Sequence, residues 1–143
     1  MRALVAIDLN DEATPTILAA AGSHAERLGA VLDVLFVDGL PYVDGLVQDP
    51  AVASALEAEA SRLRKDHEGR LQALVEGLPE GVRGKPVPVY GYEPAEAICE
   101  RAEPYDLLLV GTHGNTGLKH WMLGSVAERG VRKGTVPTLV LRA

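Results

Sequence analysis

Residues 105–125 read "YDLLLVGTHGNTGLKHWMLGS". The run Leu107–Val110 is short and continuously apolar, the pattern of a strand covered on both faces and therefore of a parallel sheet. Gly111 and Gly114 follow it directly, and Gly124 and Ser125 close the stretch. Ser125 stands three residues before Glu128, the spacing of a capping box, which predicts a helix from Ser125 to about Gly134. Unpaired N–H groups and the dipole at such a helix start favour an anion. A strand, a glycine-rich turn and a helix start in this order can gather backbone donors and the Ser125 hydroxyl around phosphate oxygens. Glycines after a strand also serve as plain turns and capping boxes as plain caps, and spacing alone leaves both readings open.

The rest of the chain repeats the strand-then-helix alternation. Ala3–Ile7 and Val31–Val37 are further buried apolar strands. Between them Thr14 and Pro15 read as an N-cap followed by a first-turn proline, and Ile17, Ala21, His24 and Leu28 recur along one helical stripe that Gly29 ends. Residues 38–50 hold two Asp-Gly pairs and two prolines, a surface loop. A long helix starting at Ala51 carries Leu56, Leu63, Leu71, Leu74 and Leu78 near one face, with charges elsewhere, His67 among them. The segment 81–91, with Pro86 and Pro88, suits an edge strand, because proline donates no ladder hydrogen bond. A short helix opens at Pro94, and Val136–Leu141 forms a last strand. Alternation of this kind predicts an α/β fold with a parallel sheet and helices on both faces. Ligands of such sheets sit beyond the carboxyl ends of the strands, where strand order reverses.

Composition narrows the function. The 143 residues fit one domain, 1–143, and 47% of them are hydrophobic, enough for a core. A net charge of −6 and an aromatic content of 4% argue against a nucleic-acid partner, which would want a basic face and stacking platforms. The single cysteine, Cys99, precludes an internal disulfide and suits a reducing cytoplasm. No apolar run approaches a membrane span. Neither a Walker loop nor a G-x-G-x-x-G fingerprint is present, and no catalytic set emerges. His113 and His120 read as solvated loop residues, Lys119 equally as a phosphate counter-charge or a solvated lysine, and Trp121 and Met122 as cover for a pocket or the sheet.

Set side by side, Gly111, Gly114, Gly124 and Ser125 give a spacing that resembles the ATP-binding signature G-x2-G-x9-G-[ST] of universal stress proteins. "LVAID" (Leu4–Asp8), "GYEPAEAICERAEPYDLLLVGTHG" (Gly91–Gly114) and "TVPTLVLR" (Thr135–Arg142) are similar to the family's opening strand, its third helix with the fourth strand, and its closing strand. The resemblance implies a three-layer, Rossmann-like sandwich of the adenine-nucleotide alpha-hydrolase type, with a five-stranded parallel sheet in the order 3-2-1-4-5. It implies ATP as ligand. Asp8 would face the adenosine end and Val37 would meet the adenine through its main chain. Gly111 would approach ribose and phosphates, and Gly114, Gly124, Ser125 and Val126 would hold the phosphates. An unpartnered buried Asp8 would be costly, so a nucleotide hydroxyl or amine, or else a loop N–H, is expected to meet it. Leu9 and Asn10 depart from the small residue and serine common in the family, and the 38–50 loop is individual. The resulting expectation is a nucleotide-binding regulatory protein, not an enzyme. Its rivals are a slow ATPase with Mg2+ or Mn2+ on the phosphates and an interaction module without nucleotide. The last strand, apolar and at the sheet edge, predicts a homodimer.

Overall fold

The computed structural model describes residues 1–39, 47–91, 93–111 and 136–142. Within them the chain order is β1 (Arg2–Ile7), α1 (Thr14–Leu28), β2 (Val31–Asp38), α2 (Pro50–Glu76), β3 (Arg83–Tyr90), α3 (Pro94–Ala102), β4 (Leu107–Gly111) and β5 (Thr138–Leu141). The strands form one parallel sheet in the order β3-β2-β1-β4-β5, as expected. The helix predicted from Ser125 lies outside the described residues.

Side-chain alternation along the strands builds the layers. Ala3, Val5 and Ile7 of β1 join Leu32, Val34 and Phe36 of β2 and Leu109 of β4 on one face. There they pack against Ile17, Leu18, Ala21 and Ala25 of α1 and Leu71 and Val75 of α2. Leu4, Ala6, Leu35, Leu108 and Val110 point the other way, onto Ala95, Ile98 and Ala102 of α3. Helix α1 buries Ile17 and Ala21 as its spacing suggested, but Leu18, Gly22 and Ala25 are buried beside them, whereas Leu28 is 47% exposed. Gly29 ends α1 in the left-handed conformation (φ 63°), its N–H reaching back to the last turn. Thr14 is not the cap. Ala13 holds that position, and the Thr14 hydroxyl donates to the Asp8 carbonyl.

Helix α2 starts one residue earlier than expected, with the Asp49 carboxylate accepting from the Ala51 N–H. Only its carboxyl-terminal part meets the sheet. Leu71 and Val75 are buried, but Leu56 is 43% exposed, so the expected leucine face is not one continuous core surface. The two sheet edges differ. Pro86 and Pro88 sit on edge strand β3, where their missing donors blunt the open side. The opposite edge, β5, spans four residues, not the expected six, because Val136 and Pro137 precede the ladder.

Candidate functional site

Strand β1 is central, with β2 on one side and β4 on the other, while the chain reaches β4 only after β3. Strand order therefore reverses at the β1–β4 boundary, and the register shows what lies at its carboxyl end. Ile7 pairs with Phe36, so Asp8 and Val37 come next on neighbouring strands. Ala6 pairs with Val110, so Gly111 comes level with Ile7. Three residues singled out from the sequence thus converge within about one residue of the same level. Gly114, Gly124, Ser125 and Val126 lie outside the described residues.

Asp8 is half-buried at the start of a tight loop. Its Oδ1 accepts the Asn10 N–H at 2.9 Å, and its carbonyl accepts from the Asp11 N–H at 3.2 Å as well as from Thr14. The loop N–H is therefore one partner of the carboxylate. The second carboxylate oxygen takes no hydrogen bond among the described residues. Val37 and Asp38 pair with Val89 and Tyr90 of β3, but β1 pairing stops at Phe36. The main chain at the end of β2 is thus held on its β3 side, with no ladder partner from β1. Gly111 is buried as the last residue of β4. A Cβ added there would lie 2.8 Å from both Cδ1 and Cγ1 of Ile17. Glycine at this position lets α1 lie close on the sheet, and its φ is not in the left-handed region.

Helix α2 closes over these strand ends with polar contacts that the sequence alone did not single out. His67, read there as part of a charged face, places Nδ1 2.6 Å from Oδ2 of Asp38, with side-chain exposures of 16% and 5%. The Phe36 ring meets the His67 ring edge-on, at 5.5 Å and 81°. One turn on, Arg70 Nη2 donates to the Leu9 carbonyl at 2.6 Å. Tyr90 donates to Glu68, and Arg64 lies 5.4 Å over the Tyr90 ring. Burial first, and then the Glu68 bond, push the Tyr90 hydroxyl up to about 12. These partners are far apart in sequence, and only the local charge density of "RLRKDHEGR" was visible there.

A profile of the universal stress protein family matches residues 1–142. The chain belongs to that family. Universal stress protein MJ0577 of Methanocaldococcus jannaschii is 32% identical over 85 residues, covering 57% of this chain and 52% of that protein. The chain thus spans about half the length of this curated relative. A second protein of that organism, universal stress protein MJ0531, is 47% identical over 51 residues, 34% of this chain and 30% of the relative. Solved universal stress protein structures share the fold. MJ0577 superposes with a TM-score of 0.72 at 22% identity, covering 99% of this chain and 95% of that one. UspA from Lactobacillus plantarum gives 0.65 at 24% identity, covering 99% and 97%. A family member crystallised in complex with cAMP gives 0.56 at 24% identity, covering 99% and 95%.

The universal stress protein sheet carries a second polar centre at its amino end. Asp33 of β2, its side chain 3% exposed, accepts from Arg2 Nη2 at 2.8 Å, the Tyr105 hydroxyl at 2.7 Å and the Lys85 N–H at 2.9 Å. Arg2 also lies 4.8 Å over the Tyr105 ring. Burial, then the Asp33 bond, push the Tyr105 hydroxyl up to about 12, and the hydrogen bond to Asp33 raises Arg2 above its ordinary value. A cavity of about 420 Å³ adjoins this centre, between β3 and the end of α3. Because Asp33 saturates itself with these partners, the centre reads as a brace of the sheet's amino end. No group of three or more His, Cys, Asp or Glu that could hold a metal ion occurs among the described residues. No helix among them is long and apolar enough to cross a membrane.

Proposed function

We propose that this universal stress protein is a single domain over residues 1–143 that binds ATP at the carboxyl ends of β1, β2 and β4 and acts as a nucleotide-dependent regulatory protein. One observation carries the reading: the reversal of strand order lies where the G-x2-G-x9-G-S stretch begins, at Gly111. In such sheets that crevice is the ligand position. The neighbouring chemistry fits an adenine nucleotide. The second oxygen of Asp8 can accept from a ribose hydroxyl or the adenine amine, and the main chain at Val37 is free of β1 to meet the base. Gly111, Gly114, Gly124, Ser125 and Val126 would supply backbone donors and one hydroxyl to the phosphates. Mg2+ or Mn2+ would accompany those phosphates as their counter-charge. A fold relative holds cAMP, but Ser125, at the helix start that its capping-box spacing predicts, suits a terminal phosphate group, which favours ATP here.

Binding, not turnover, is the activity we infer, because the sequence nominates neither a water-positioning base nor a charge-stabilising arginine for hydrolysis. We place the protein in the cytoplasm on its lone cysteine, and read it as a homodimer joined through β5. The proline-blunted β3 edge leaves β5 as the side with an open row of backbone groups. The test is to release small molecules from the purified protein by denaturation and identify them by mass spectrometry. ATP carried through purification supports the reading. A protein that carries no adenine nucleotide and takes none up on titration contradicts it.

A further inference from the structure

We propose that His67 and Arg70 of α2 are positioning residues that set the width of the adenosine end of this site. The inference rests on the ATP reading above and asks what holds the two sides of the adenosine pocket apart. Asp8 would lie on one side and Val37 on the other. The β1–β2 ladder does not bridge them directly, because it ends at Ile7 and Phe36, one residue before both; Val37 is held from the β3 side and Asp8 by its own loop. Helix α2 supplies the missing link. Arg70 holds the carbonyl of Leu9, the residue after Asp8, at 2.6 Å, and His67 holds the carboxylate of Asp38, the residue after Val37, at 2.6 Å. The two side chains are three residues apart on α2, hence on one face of the helix. One rigid turn thus grips both strand ends just beyond the ladder.

The grip is itself held in place. Phe36, buried in the core, sets the plane of the His67 ring through its edge-on contact. The Tyr90–Glu68 bond and Arg64 over Tyr90 fasten the same part of α2 to β3. Neither His67 nor Arg70 needs to touch the nucleotide. Each bonds to a chain segment whose neighbour would touch it, so its loss lets one wall of the pocket drift and leaves the phosphate loop after β4 alone.

That separation of effects gives the test. Affinities for ATP, adenosine and inorganic tripolyphosphate are measured by calorimetry on wild type, His67→Ala and Arg70→Ala, with thermal unfolding followed in parallel. The expected result is a loss of about tenfold for ATP and adenosine in each variant, the scale of one charge-assisted hydrogen bond, with tripolyphosphate unchanged. His67→Asn, whose amide nitrogen falls near the Nδ1 position, and Arg70→Lys should recover most of the loss. If either alanine variant fails to fold, His67→Gln, which moves the donor outward, should still weaken adenosine and spare tripolyphosphate. Unchanged adenosine affinity in folded variants overturns the inference, as does equal weakening of all three ligands. Wild-type protein that binds neither ATP nor adenosine overturns the nucleotide reading, and this inference with it.

Discussion

Replacing Gly111 by alanine tests whether its missing side chain serves packing. The added Cβ would lie 2.8 Å from two atoms of Ile17 and 3.1 Å from a third, against roughly 3.5–4.0 Å for an ordinary carbon contact. Ile17 is only 4% exposed, so it cannot swing aside into solvent, and α1 must shift instead. Overpacking of this kind costs about 1–3 kcal/mol, and contact with several atoms of a buried residue argues for about 2. Ile17→Ala alone should cost about 3 kcal/mol through its cavity. In the double variant the new methyl enters the space that Ile17 has vacated. The combined loss should then stay near that of Ile17→Ala alone, a favourable coupling of about 2 kcal/mol. Urea unfolding followed by circular dichroism reads this as a shift of about 1 M in midpoint. Losses that add to within about 0.5 kcal/mol would refute the packing argument.

Three further predictions concern the opposite end and the edge of the sheet. Asp33→Ala should cost about 2 kcal/mol, mainly through the Lys85 N–H and Tyr105 hydroxyl left without their acceptor, and ATP affinity should not change; a urea midpoint equal to wild type would contradict this. Tyr105 ionises near 10 when unfolded but at about 12 when folded. Its stabilising contribution is therefore complete below pH 10 and lost as pH rises from 10 to 12, which unfolding curves across that window will show for wild type and less so for Tyr105→Phe. Light scattering during gel filtration should give about twice the 15.2 kDa chain mass, reduced to one chain by Val140→Pro; a single-chain mass for wild type removes the β5 pairing.

What could be read from the sequence follows from how far apart the interacting residues lie. The strands β1, β2 and β4 were legible because each is a short apolar run buried on both faces, and β3 because two prolines marked an edge. The stripe of α1 was half legible: Ile17 and Ala21 are buried as expected, but Leu18 and Ala25 are buried too while His24 is only half-buried and Leu28 is exposed, since a stripe of period 3.6 admits neighbouring choices when alanines fill the helix. Asp8 and Val37 could be named only through the family resemblance, and Gly111 also because it follows an apolar run directly. The pairing of His67 with Asp38, and of Arg70 with the Leu9 carbonyl, spans 29 and 61 residues. No local pattern encodes such contacts; they appear only once α2 is laid across the sheet. The same holds for Asp33, whose partners Lys85 and Tyr105 come from β3 and the turn before β4.

The central claim is that ATP is held by the stretch that begins at the end of β4, and calorimetric titration of wild type and Gly114→Val with ATP tests it most directly. A branched side chain at Gly114 would block the approach of phosphate to the backbone. The account predicts saturable one-site binding to wild type and loss of that binding in a variant that unfolds at the wild-type urea midpoint. Equal ATP affinity in the two folded proteins would contradict it.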